Sequence, residues 1–236
     1  MNIEYEKAKS LQDQAKQIVS GEVINVDELR EVLSQEEECL LRLKESDPDA
    51  WKQLQKFYSY WASYLTMYIG DRDTAKSYAK KSVELYEACA SREDPVEYAL
   101  SLSSQYVDLA FTSFGDYEIH SEEERRYYDK ALTLLEPIVL NTEGDYYFYV
   151  ARTVPNYFRA FNPIKSEDEM KDFITLLSRL EDFFAKAKEK NSRYIMLWGR
   201  TKNSWLNQVE DQEKLIQFRR DSIVKTENEK ESGKTK

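Results

Sequence analysis

Apolar residues recur at spacings of three and four along nearly the whole chain, which is the period of a buried helix face and not of a strand. The clearest run is Trp51, Leu54, Tyr58, Trp61, Leu65 and Tyr68. A chain patterned this way must hide one long stripe per helix, and it does so most simply by laying helix on helix. Turn residues agree: 236 residues contain only six Gly and five Pro, too few for the many turns of a β-sandwich. The expected class is all-α.

Stop and start signals divide the periodic stretches. Ala8, Leu11, Ala15 and Ile18 mark a first helix over about 3–20, stopped by Ser20-Gly21. Asn25 with Glu28 three residues on is a capping-box arrangement, and Leu29, Val32, Leu33, Leu40 and Leu43 follow it until Asp47-Pro48. The third helix is expected over 50–69, closed by Gly70-Asp71. The fourth, with Ala75, Tyr78, Ala79, Ser82, Tyr86 and Cys89, is expected over 73–91. Asp94-Pro95-Val96-Glu97 combines a capping acid, a proline at the first helical position and an acid in the first turn. Ala99, Leu102, Tyr106 and Leu109 form the stripe behind it.

Ser121 and Glu124 open a sixth helix lined by Tyr128, Ala131, Leu135 and Ile138, with Pro137 near its end. Seven aromatics crowd 146–161, where Pro155 is expected to kink or interrupt the helix. Ser166 and Glu169 cap a long helix to about 190. A final pair is expected over 193–207 and 211–224. These ten helices pair into five hairpins beginning near 3, 50, 95, 146 and 193, at spacings of 45 to 51 residues. Such regularity predicts a right-handed array of about five antiparallel helical hairpins in one continuous domain, 1–224. The tail KTENEKESGKTK, 225–236, has no apolar residue and is expected to be disordered.

The first helix of four hairpins shares a pattern of bulky, bulky, small and bulky positions. It reads Tyr58, Trp61, Ala62 and Leu65, then Ala99, Leu102, Ser103 and Tyr106. It continues as Tyr147, Val150, Ala151 and Val154, then Ile195, Trp198, Gly199 and Lys202. A small residue inside a bulky seam lets a second helix come close. The pattern resembles the first helix of the tetratricopeptide repeat (TPR) family, Trp-x-x-Leu-Gly-x-x-Tyr. Gly70-Asp71 with Ala75, and Gly115-Asp116-Tyr117 with Tyr128, Ala131, Leu132 and Pro137, look like that family's turn and second helix. The likeness is good over about 50–140. It departs in its period, which exceeds the family's 34 residues, in the long loop from Tyr117 to Tyr128, and in Pro155 within a first helix.

The resemblance implies a concave face that binds a peptide or protein. Carried over by spacing, its lining would be Lys56, Ser59, Ser63 and Thr66, then Glu97, Leu100, Ser104 and Val107. The later hairpins would add Phe148 and Arg152, then Met196, Arg200 and Asn203. The basic members imply an acidic or carboxylate-ended peptide. A binding module or adaptor without enzymatic activity is the expected function.

Chemistry elsewhere is sparse. The single histidine, His120, lies in a loop, and Cys39 and Cys89 read as small hydrophobes on helices without a CxxC spacing. No phosphate-binding Gly-rich loop occurs, so no cofactor or metal is expected. The acidic runs Glu36-Glu37-Glu38 and Glu122-Glu123-Glu124 are expected on solvated faces. The formal charge of −10 disfavours nucleic acid and anionic membranes as partners. No stretch is long and apolar enough for a membrane span, and the N-terminus carries no signal-peptide pattern. A cytoplasmic monomer or homodimer is expected. The alternative function is a small-ligand sensor whose pocket is built on the aromatic block from Tyr147, Arg152, Asn156, Tyr157 and Arg159.

Overall fold

In a computed structural model, the structure describes residues 3–88, 94–113, 121–162 and 164–203. The described residues form helices and contain no strand, so the protein is all-α. The helices are α1 (Ile3–Ser20), α2 (Val26–Ser46), α3 (Trp51–Tyr64), α4 (Arg72–Ala88), α5 (Pro95–Thr112), α6 (Glu122–Asn141), α7 (Tyr147–Arg159) and α8 (Glu167–Ala187). A further helix, α9, covers 193–203. None of these is long and apolar enough to cross a membrane. Cys89, His120, the turn 115–117, the helix expected at 211–224 and the tail lie outside the described residues.

Local chemistry sets the helix starts. Asn25 accepts the Glu28 N–H at 3.3 Å, and Asp94 accepts those of Val96 and Glu97 at 2.9 and 3.2 Å. Ser121 and Ser166 cap α6 and α8 through the N–H groups of Glu124 and Glu169. Each cap satisfies a donor that the helix itself cannot.

The chain folds as two compact units, Met1–Ser113 and Phe114–Lys236. In the first, α1 packs along α2, α3 along α4, and α4 along α5, with α3 also meeting α2 and α5. The stripes meet there: Leu29, Leu33, Leu54, Trp61, Ala62 and Leu65 are fully buried. Each such large side chain contributes about 1.5–3 kcal/mol by leaving water. Trp51 meets Tyr86 edge-on at 5.6 Å, and Phe57 lies 5.3 Å from Tyr78. In the second unit, α6 packs against α7 and α8. Phe158 of α7 meets Phe173 of α8 at 5.2 Å, and Phe184 of α8 stacks on Trp198 of α9 at 5.1 Å.

Four expectations change. The stripe of the third helix ends at Leu65, because the backbone widens into a π-turn over Leu65–Ile69. The extra residue in that turn rotates Tyr68 off the stripe, leaving it 67 % exposed. Pro155 does not interrupt α7, which runs unbroken through it. Val150, Val154 and Phe158 are completely buried along one side and hold the helix together across the missing N–H. Val107, expected on an open face, is buried. Finally, the two acidic runs are not simply solvated faces: Glu36 and Glu124 are buried in the cores of their units. Glu36 stands in phase with Leu29, Leu33, Leu40 and Leu43, and Glu124 with Tyr128, Ala131 and Leu135. Helix rotation by about 100° per residue sends each of them inward while its neighbours point out.

Candidate functional site

A groove of about 620 Å³ opens in the first unit between α1, α2 and α3. Tyr5, Lys9, Gln12 and Lys16 line it from α1, one residue per helical turn. From α3 come Gln53, Lys56, Phe57 and Tyr60. Ala8, Leu40 and Phe57 make an apolar floor, and Tyr5 and Tyr60 stand half-exposed at its margins. Glu36 of α2 also lines it.

Glu36 is 2 % exposed, and its Oε2 has no hydrogen-bond partner among the described residues. Burial raises its pKa to about 8; the Lys16 ammonium opposes that rise and the Asp13 carboxylate adds to it. At neutral pH Glu36 therefore carries its proton. Lys16 donates to Gln12 Oε1 at 3.2 Å and stands 4.0 Å from Asp13. Lys9 and Lys56 are exposed and make no ion pair with a described residue. An acidic protein thus presents a cationic groove with an uncharged carboxylic acid in its wall.

A second groove of about 430 Å³ lies in the second unit among α6, α8 and the end of α7. Two of its arginines are matched to carboxylates. Arg179 donates to Asp129 at 2.7 Å and through two nitrogens to Glu136 at 2.8 and 2.9 Å. Arg125 donates to Glu169 at 2.9 Å and to the Ala160 carbonyl at 3.3 Å, with its guanidinium 5.1 Å from the Phe161 ring centre. Tyr157 lines this groove and donates to Asp129 at 3.4 Å.

Of the residues read from sequence as groove lining, Lys56 lines the first groove. Ser59, Ser63 and Ser104 are half-buried on α3 and α5. Thr66 turns its hydroxyl onto the Ala62 carbonyl at 2.8 Å. Glu97 is exposed and Leu100 half-buried on α5. In the second unit, Phe148, Met196, Arg200 and Asn203 are exposed and Arg152 is half-buried.

Of the five residues of the aromatic-block pocket, Arg152, Tyr157 and Arg159 lie around Tyr128, whereas Tyr147 stands apart. Tyr147 lies beneath Arg193, whose guanidinium is 3.9 Å from its ring centre, and beside Tyr194 at 6.0 Å. Tyr157 sits ten residues further along α7, about 15 Å away, against Tyr128. Asn156 spends its amide on the Arg152 carbonyl at 2.6 Å. Arg152 and Arg159 place positive charge near the Tyr128 hydroxyl.

Sequence reasoning missed the α1 side of the groove and Glu36. The signals were present: Lys9, Gln12 and Lys16 repeat beside the apolar stripe of α1, and Glu36 occupies a stripe position on α2. The repeat pattern is strongest from residue 50 onward, which drew the expected groove away from the first hairpin. No protein-family model, no curated protein and no solved structure matches this chain.

Proposed function

We propose that this protein is a non-catalytic, cytoplasmic interaction module, a TPR-like stack of helical hairpins that holds a peptide or protein partner in the groove between α1, α2 and α3. The observation that carries the reading is the pair of exposed lysines, Lys9 of α1 and Lys56 of α3, which line an open groove with half-exposed tyrosines at its margins and make no ion pair with a described residue. Tyrosine with cationic side chains around a partly apolar floor is the composition of a contact surface. The hairpin spacing of 45 to 51 residues and the packing of α2 and α5 on α3 support stacking of the first hairpins. The aromatic-block pocket has weaker support, since Tyr147 packs against Arg193 and Tyr194, about 15 Å along α7 from Tyr157.

Affinity purification from the native cell, comparing the wild type with Lys9→Glu/Lys56→Glu, tests this. Both lysines are exposed, so the variant should keep its helix content and melting temperature. A partner recovered with the wild type should be lost with the variant. Equal recovery would move the binding surface elsewhere on the molecule.

A further inference from the structure

We propose that the groove takes an acidic segment of a partner protein and seats one of its carboxylates against the side chain of Glu36, between Lys9 and Lys56. The inference rests on the binding role proposed above and names the chemistry of the occupant.

The observation behind it is the state of Glu36. A polar atom that is almost wholly buried is nearly always hydrogen-bonded. Glu36 Oε2 has no hydrogen-bond partner among the described residues, yet the residue borders an open groove. The partner that completes it comes from the groove side.

Charge decides what kind of group that is. Lys9 and Lys16 stand on α1 and Lys56 on α3, and all three line the groove with Glu36. Asp13 is the acidic group of α1 that acts on Glu36, and it is engaged with Lys16. Tyr78 faces Glu36 from α4 and keeps its proton, its pKa raised by burial. On α2 itself, Glu37 is committed to Tyr58 and Lys81, each at 2.6 Å. Three ammonium groups repel a cationic ligand and attract an anion. A protonated Glu36 does not repel that anion. It donates an O–H to it, forming an acid–carboxylate hydrogen bond of the strong, charge-assisted kind. Complementary charge also steers an acidic segment toward this cationic groove on a protein of net charge −10.

Proton linkage follows with a definite sign. A seated carboxylate is a like charge beside Glu36, so it raises the affinity of Glu36 for its proton. Reciprocally, the protonated form binds the segment better. Affinity is constant while Glu36 is protonated and falls by up to about tenfold per pH unit once the pH passes about 8.

The test uses the full chain and three short rhodamine-labelled peptides of alternating Glu and Leu, Gln and Leu, or Lys and Leu. Fluorescence anisotropy is read from pH 6.5 to 9.5 at constant ionic strength. The Glu peptide should bind at least tenfold more tightly than the other two, with affinity falling above pH 8. Glu36→Gln, whose amide also donates, should keep binding the Glu peptide but lose that fall. Lys9→Gln/Lys56→Gln, changed only at exposed positions, should bind about tenfold more weakly and keep it. Preference for the Lys peptide, or no binding of any of the three, overturns the proposal. So does an identical pH profile for wild type and Glu36→Gln. The binding role of this groove stands after such a result if a native partner is still lost on Lys9→Glu/Lys56→Glu, and falls with it if none is.

Discussion

The Tyr58 hydroxyl of α3 donates to Glu37 Oε1 of α2 at 2.6 Å. Lys81 of α4 reaches the same oxygen at 2.6 Å, so one carboxylate ties three helices together. Its neighbour Glu36 turns inward and lines the groove, so a single residue step separates a carboxylate tied to two side chains from one buried in the groove wall. Tyr58→Phe removes one tie and leaves the Lys81 contact. It should cost about 1 kcal/mol in urea denaturation. A combined Tyr58→Phe/Lys81→Met change should cost more than either alone, because the half-buried carboxylate then loses both partners.

Glu36 makes stability depend on pH. Its pKa is near 8 in the folded protein and about 4.3 in an unfolded chain. Folding is therefore favoured by protonation: the contribution is complete below about pH 4 and is lost as pH rises through about 8. Glu36→Gln abolishes this loss. Denaturation midpoints of the variant should draw ahead of the wild type as pH rises from 5 to 8, by on the order of 1 kcal/mol per pH unit, and stay level above pH 9. Parallel profiles would show that Glu36 is ionised in the folded protein.

Gly70 ends the π-turn with φ 78°, in the left-handed region, and its N–H donates to the Leu65 carbonyl at 2.8 Å. A Cβ there would meet no atom within 4 Å. The cost of Gly70→Ala is thus one of backbone conformation, about 1 kcal/mol. Gly70→Asn should cost less, since asparagine tolerates that region better. Thermal melts of the two variants give the order.

In the second unit Arg179 joins Asp129 and Glu136 with a planar fork of donors. Arg179→Met leaves two carboxylates facing an apolar side chain and should cost about 1–2 kcal/mol. Arg179→Lys should recover only part of that loss, because an ammonium cannot make the paired contacts to Glu136. Guanidinium chloride is a poor choice of denaturant for this comparison because it screens charge; urea at low salt shows the difference.

Helix identity and helix starts were legible in the sequence because both are local. Asn25, Asp94, Ser121 and Ser166 cap the helices they were expected to cap, since a side chain two or three residues from an orphan N–H needs no distant partner. The stripes of α5 and α6 face the core for the same reason of period. Residues with two competing local roles were less legible. Tyr68 fits the stripe by count, and only the wider turn before Gly70 turns it to solvent. Glu36 and Glu124 look like members of solvated runs until the phase of the helix is fixed by its neighbours.

By itself the sequence determined an all-α protein with capped amphipathic helices, because spacing and caps act within a few residues. Tertiary structure alone decided which charges remain unspent. Arg179 and Lys56 are alike on paper as cationic residues on helix faces. One meets two carboxylates brought from α6, and the other meets an open groove. A charge is satisfied by what packing brings within about 3 Å of it, and residues distant in the chain supply that.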